Sequence, residues 1–257
     1  MSTRTQAFVN FYAAMGTLYA YSKLDEKARE LAAKQDISLR FKVKGGPDGV
    51  LVFEGGQIKA IPYQKGVKTD IVLYCSDVNK FNDLVDGKGQ SVIPLKGFTK
   101  LGFLLNKESA FNKLTEDMAT LMRKKEFDNK DEMRLSTLLA FYAMVSAIAQ
   151  IGNEDDLGKV SAKKIPEGLI SIEIPDQCYL TIKVTKEPQT KLEVIDERCP
   201  NPRSKMVFDS LETAKGVIDG KLDAMSCIAT GKIAMSGFIP MLQFLNNILN
   251  LVPKYLS

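Results

Sequence analysis

The side chains that could do chemistry here are lysines, carboxylates and four thiols, because the chain contains no histidine. That absence removes Ser–His–Asp and Cys–His nucleophile arrangements, the commonest metal ligand and the usual acid–base group near neutral pH. Ser–Lys, carboxylate-only and cofactor-borne mechanisms survive it. The Gly-Lys pairs at Gly87, Gly220 and Gly231 lack the upstream Gly and the following Ser or Thr of a phosphate-binding loop. Gly87-Lys88-Gly89 stops short of a dinucleotide fingerprint. Asp155-Asp156 falls in a polar stretch after an apolar helix and is expected to be a solvated loop, not a metal site. Cys75, Cys178, Cys199 and Cys227 are far apart with no C-x-x-C pair. They are expected to be buried thiols of a reducing compartment sooner than disulfides or zinc ligands. No catalytic residue, metal or cofactor is expected.

The more distinctive chemistry is apolar. In Gly237–Leu256, Met241, Leu242, Leu245, Ile248, Leu249 and Val252 follow i, i+1, i+4, i+7, i+8, i+11, with Phe244 alongside. This is one wide helical face whose polar remainder is mainly Gln243, Asn246, Asn247 and Asn250. Such a stripe can seal a domain's own core. Met225, Met235 and Met241 gather in the same region, which suits either irregular packing or an adaptable apolar surface.

The elements that must position this stripe are written twice. Asn10-Phe11-Tyr12-Ala13-Ala14-Met15 matches Ala140-Phe141-Tyr142-Ala143-Met144-Val145 at an offset of 130. Leu84-Val85-Asp86-Gly87-Lys88 matches Val217-Ile218-Asp219-Gly220-Lys221 at 133, and Gly97-Phe98 matches Gly237-Phe238 at 140. Three matches in one order, with an offset that only grows, indicate a duplicated domain, since solenoid units run only ~20–50 residues. Each copy is expected to begin with a helix, near Gln6–Leu31 and Glu132–Ile151. Strands follow at Ile37–Val43, Val50–Phe53, Ile58–Pro62 and Thr69–Cys75, then at Leu169–Ile174, Cys178–Val184, Lys191–Ile195 and Lys205–Phe208. Gly- and Pro-bearing turns such as Gly45–Gly49 separate them. A capped short helix comes next, with Asp209-x-x-Glu212 as a capping box and Gly220 as the C-terminal stop; Ser76 or Asp77 and Gly87 do the same in the first copy. The fold class is α+β, with helices covering one face of a mixed, mostly antiparallel sheet.

Between the short helix and the last helix the first copy is seven residues shorter, reading GKGQSVIPLKG against GKLDAMSCIATGKIAMSG. It therefore loses a short helix at Leu222–Ala229. Its equivalent of strand Lys232–Met235 carries Pro94, which belongs at an edge or bulge. A trimmed copy is often reassigned to scaffolding. The join is expected in the charged run Arg123–Glu132, giving a shortened copy over 1–128 and a more complete one over 129–257.

Apolar residues make up 45% of the chain, enough for packed cores. The net charge of +4, from 35 basic and 31 acidic side chains mixed along the sequence, gives no clustered basic face for nucleic acid. It leaves a weak attraction to acidic membrane surfaces. No run reaches the ~20 apolar residues of a membrane span, no signal-peptide core is evident, and a cytoplasmic location is expected.

The second copy from Gly168 onward resembles the sterol carrier protein 2 domain family. Met206-Val207-Phe208-Asp209-Ser210-Leu211-Glu212-Thr213, Gly220-Lys221-Leu222-Asp223-Ala224 and Gly231-Lys232-Ile233-Ala234-Met235-Ser236-Gly237 carry the likeness, and Thr69–Ser76 through Gly87 is similar in the first copy. The resemblance implies two tandem domains, each a mixed sheet covered by helices with an apolar tunnel between. It also implies non-enzymatic carriage of sterols, fatty acids, acyl chains or phospholipids. Cavity-wall candidates are Phe208, Ile218, Leu222, Met225, Ile228, Ile233, Met235, Phe238, Met241, Leu245, Ile248 and Leu249, each of which would serve equally as plain core. The expected partner is a lipid or sterol-like molecule, with transient membrane contact. The alternatives are a scaffold presenting a lipophilic intermediate to a partner enzyme complex, its protein partner unknown, and a Lys- or carboxylate-dependent enzyme acting on an apolar substrate.

Overall fold

The computed structural model describes residues 1–89 and 92–256. The chain divides into two compact units, Met1–Leu135 and Ser136–Ser257. The fold is α+β, each unit holding one five-stranded sheet flanked by helices.

In the first unit, β1 (Ile37–Val43), β2 (Asp48–Glu54), β3 (Gln57–Pro62), β4 (Ile71–Cys75) and β5 (Ile93–Lys96) order as β3-β2-β1-β4-β5. β1 and β4 are parallel and the other pairs antiparallel. In the second, β6 (Gly168–Ile174), β7 (Cys178–Thr185), β8 (Lys191–Ile195), β9 (Ser204–Phe208) and β10 (Ile233–Gly237) order as β8-β7-β6-β9-β10, with β6 and β9 parallel. The same strand order with the single parallel pair at the same place is the structural counterpart of the sequence repeat. Phe11 and Phe141, the matched aromatics, are both fully buried. Phe11 packs edge-on to Phe41 at 5.9 Å, and Phe141 packs edge-on to Phe208 at 5.5 Å.

The opening helix departs from the expected continuous Gln6–Leu31. α1 (Thr3–Val9) runs through a π-helical turn at Asn10–Ala14 and a 3-10 turn at Met15–Thr17 into α2 (Leu18–Leu24). The Thr17 hydroxyl donates to the Ala13 carbonyl at 2.7 Å, competing with the helical ladder there. Asp25 then adopts extended geometry and caps α3 (Glu26–Ala32) by accepting from Ala28 N at 2.7 Å.

α4 (Val78–Val85) is capped by Asp77, as one of the two expected residues, and ends at Gly87, whose φ is +73°. In the second unit Ser210, one residue after the expected Asp209, accepts from Thr213 N at 3.1 Å and starts α9 (Leu211–Ile218). The Asp209 carboxylate instead reaches the Ser210 hydroxyl at 3.0 Å. α10 (Ala224–Ala229) is the short helix expected at Leu222–Ala229, capped by Asp223. In the first unit Gly89 is followed by β5 with no described helix between; Gln90 and Ser91 of the shortened segment lie outside the described residues. Pro94 sits on the outermost strand at a register shift opposite Leu73, an edge or bulge position of the kind expected for it.

After β5 a 3-10 turn (Phe98–Lys100) leads into α5 (Gly102–Leu105) and α6 (Ala110–Arg123). The apolar residues of this stretch thus fall on two helices, not one. Asn112 Nδ2 donates to the Leu104 and Asn106 carbonyls at 2.8 Å each, and Ser109 starts α6 afresh as its N-cap. The charged join is a short connector, closed where Asn129 accepts from Glu132 N at 2.8 Å at the start of α7 (Lys130–Glu154).

α7 corrects the expectation that no run approaches a membrane span. It is long and apolar enough by length and composition, with a mean hydropathy of 1.6 over its best window, because Ser, Thr and Gln are its main polar residues from Leu135 on. Yet 78% of that window is buried inside the structure, as a core helix should be. Asp155 also differs from expectation. It is no solvated loop residue but the N-cap of α8 (Asp156–Lys164), accepting from Leu157 N and Gly158 N at 3.0 Å each and from the Tyr255 hydroxyl at 2.6 Å. The chain continues through α11 (Ile239–Leu249) and a 3-10 turn at Val252–Lys254. All four cysteines are free and buried.

Candidate functional site

The apolar candidates of the second unit fall on β9, α9, α10, β10 and α11. Across the antiparallel β9–β10 pair, Phe208 faces Ile233 and Met206 faces Met235, so alternate residues of both strands present one apolar face. α11 lies over this face with Met241, Leu245 and Ile248 buried. Its last turn packs closely: a Cβ at Gly152 of α7 would come within 3.3 Å of the Ile248 Cδ1 atom.

The twelve candidates divide by burial. Phe208, Ile233, Met241, Leu245 and Ile248 are buried against the sheet and act as core. Ile218, Leu222, Ile228, Met235 and Leu249 are half-buried. Met225 and Phe238 are 62% and 42% exposed. Leu222 folds back on α9, where a Cβ at Gly216 would stand 2.5 Å from its Cδ1. The set therefore grades from sealed interior to open surface along α10, β10 and the start of α11. Ile239, at 37% exposure, extends it and was passed over in the sequence because it lies before the periodic stripe begins.

The exposed end of this region is an elbow at Gly237-Phe238. Gly237 has φ +82°, and a Cβ there would lie 2.3 Å from the Arg203 carbonyl oxygen, so only glycine fits. Phe238 N donates to the Arg203 carbonyl at 3.0 Å, and Ser204 Oγ donates to the Phe238 carbonyl at 2.9 Å. The Arg203 guanidinium sits 5.1 Å from the Phe238 ring centroid, a cation–π contact. The first unit repeats the elbow at Gly97-Phe98, with φ +83° and a Cβ position 2.4 Å from the Asp70 carbonyl oxygen. Asp70 there is partly opposed by burial, but hydrogen bonds from Lys100 and from the side chain and backbone of Ser38 win and hold its carboxyl at about 2.

Polar chemistry is placed elsewhere. Tyr142, pushed up mainly by burial and further by Cys178 and Asp196, donates to Asp196 at 2.6 Å. Buried Glu173 accepts from Ser171 Oγ at 2.7 Å and pairs with Lys205 at 3.1 Å. A surface groove of about 1080 Å³ lies in the first unit, lined by charged side chains including Asp25, Asp117, Lys124, Glu132 and Arg134. Among the described residues no cluster of three or more His, Cys, Asp or Glu is placed to hold a metal ion.

No family model matches the chain, and no curated protein matches it. Among solved structures it is similar to the sterol carrier protein domain 2 of Helicoverpa armigera, at 18% identity and a TM-score of 0.34, over 46% of this chain and 91% of that one. It is also similar to a UbiJ-SCP2 ubiquinone synthesis protein, at 13% identity and a TM-score of 0.32, over 42% and 93% of the two chains. The apo form of sterol carrier protein 2 from Yarrowia lipolytica aligns at 13% identity and a TM-score of 0.29, over 40% and 90%. These likenesses are distant.

Proposed function

We propose that the chain is a tandem pair of sterol carrier protein 2-like domains, over 1–128 and 129–257, whose second copy binds and transfers a lipid-like ligand without covalent chemistry. The observation that carries this reading is the graded apolar path of the second unit, from Phe208, Ile233 and Leu245 in the core through Met235 and Ile228 to exposed Met225 and Phe238. Single exposed apolar side chains are ordinary on a protein surface, so the weight rests on Met225, Phe238 and Ile239 all being exposed on neighbouring elements, α10 and the start of α11 beside β10. Here the rim is Met and Phe, an adaptable apolar lip.

The ligand is taken up by opening this lip. The parts that would move are α10, a helix of only six residues, and the Phe238 ring. An acyl chain that buries ~14 methylenes gains ~11 kcal/mol against water at ~0.8 each, less several kcal/mol for ordering. A bilayer offers a similar gain, so rough parity suffices for transfer. Sterol, fatty acid and phospholipid all satisfy this chemistry, and a cytoplasmic carrier is the form the reading takes.

Native mass spectrometry of the purified chain, with solvent extraction of what it carries, tests the proposal. A co-purifying or exchangeable lipid is expected at about one per chain, the number one graded path would hold. A chain that neither carries nor takes up any lipid would defeat it. Stoichiometric capture of an enzyme partner by a lipid-free chain would favour the scaffold reading instead.

A further inference from the structure

The first unit lacks a described counterpart of α10, yet it exposes more apolar side chain at the corresponding edge. Ile93 and Leu95 of β5, the second at the register shift between Pro94 and Lys96, are 53% and 52% exposed. Phe98, at the elbow, is 65% exposed, and Leu105, at the end of α5, is 77% exposed. The segment that carries them, residues 87–107, contains Lys88, Lys96, Lys100 and Lys107 and no acidic residue. All four lysines are exposed.

Two of these charges are locally offset, Lys88 by Asp83 and Asp86 and Lys100 by Asp70. Lys96 donates to a neutral acceptor, the Thr69 carbonyl, at 2.6 Å. Lys107 makes no ion pair among the described residues and lies two residues from Leu105 on the exposed turn. Bulky apolar side chains flanked by two lysines without a carboxylate partner, Lys96 and Lys107, suit a surface that is greasy beneath and negative above. A strand from another protein suits it poorly, because Pro94 in the middle of β5 and Lys96 beside it blunt pairing along the outer edge.

We infer that the β5–α5 edge of the first unit docks the protein on a bilayer containing anionic lipid, inserting Phe98 and Leu105 while Lys96 and Lys107 meet headgroups. This goes beyond ligand binding by the second unit and does not depend on it. The trimmed copy thus has a task of its own, holding the chain at the membrane.

Co-sedimentation of the full chain with phosphatidylcholine vesicles, with and without phosphatidylserine, tests the inference. The wild type pellets with the anionic vesicles, less with neutral ones, and less as salt rises. The double variant F98S/L105S loses at least tenfold in partitioning, and K96Q/K107Q loses about fivefold for each lysine. L157S, an equally exposed apolar site on α8, partitions like the wild type. Melting temperatures of the variants within a few degrees of wild type show that folding is intact. Fatty-acid displacement, which reads the second unit, is unchanged in F98S/L105S, so failure of one proposal is distinguishable from failure of the other. Absence of pelleting, or F98S/L105S pelleting like the wild type, overturns the inference. So does self-association abolished by that double variant in a chain that ignores vesicles, which would assign the face to a second copy.

Discussion

Replacing Gly237 by alanine should destabilise the second unit far more than replacing Gly220, although both have left-handed backbone, φ +82° and +69°. At Gly220 an added Cβ meets nothing within 4 Å, so G220A costs only the conformational penalty of about 1 kcal/mol. At Gly237 the Cβ would lie 2.3 Å from the Arg203 oxygen and 3.0 Å from Ser204 Cα. Both are backbone atoms of or next to β9, which cannot swing aside as a side chain would. Relief requires β9, β10 and the start of α11 to part, bringing the total to about 3 kcal/mol or more. At about 3–5 °C per kcal/mol for a domain of this size, calorimetry of the full chain should show a drop of about 10 °C or more for G237A and about 4 °C for G220A. The same displacement moves Phe238, so ligand uptake should fall in G237A and persist in G220A. Equal melting shifts in the two variants would refute the reasoning.

The depressed Asp70 carboxyl, about 2 against an unfolded value near 3.9, contributes stability that is complete above about pH 4 and is lost as pH falls towards 2. Acid titration of D70N should lack that loss while starting about 2 kcal/mol less stable, as read by urea unfolding of the first unit. D155A leaves Leu157 N and Gly158 N uncapped and the Tyr255 hydroxyl without its acceptor; a cost of about 2 kcal/mol in the second unit is expected, with Y255F costing about half as much. Y142F removes a 2.6 Å hydrogen bond to Asp196 and should lower stability by about 1 kcal/mol without altering ligand uptake, checked by denaturant midpoint and displacement.

The strands were legible because hydrophobic runs such as Ile37–Val43 and Lys191–Ile195 end on turn residues, and both lie where the sequence places them. The repeat was legible because Gly97-Phe98 and Gly237-Phe238 are held by the same backbone contact, which admits no other residue at the glycine. The breaks at Asn10–Ala14 and Asp25 were not, since apolar spacing does not report a local change of helix type or a one-residue interruption. Asp155 was misread because a paired acidic run looks solvated until the helix it caps is in view. In the candidate site, periodicity picked out Met241, Leu245 and Ile248 but could not separate them from Met225 and Phe238. Which apolar residues are buried and which form a lip depends on the neighbouring α10 and β10, not on spacing within one helix.

Titration of a fluorescent fatty acid into the full chain, followed by displacement with unlabelled lipid, tests the central claim most directly. The account predicts saturable uptake that is abolished by M235D, a half-buried position on the path, in a variant that still unfolds cooperatively. Uptake that never saturates, or that is the same in M235D as in the wild type, would contradict it.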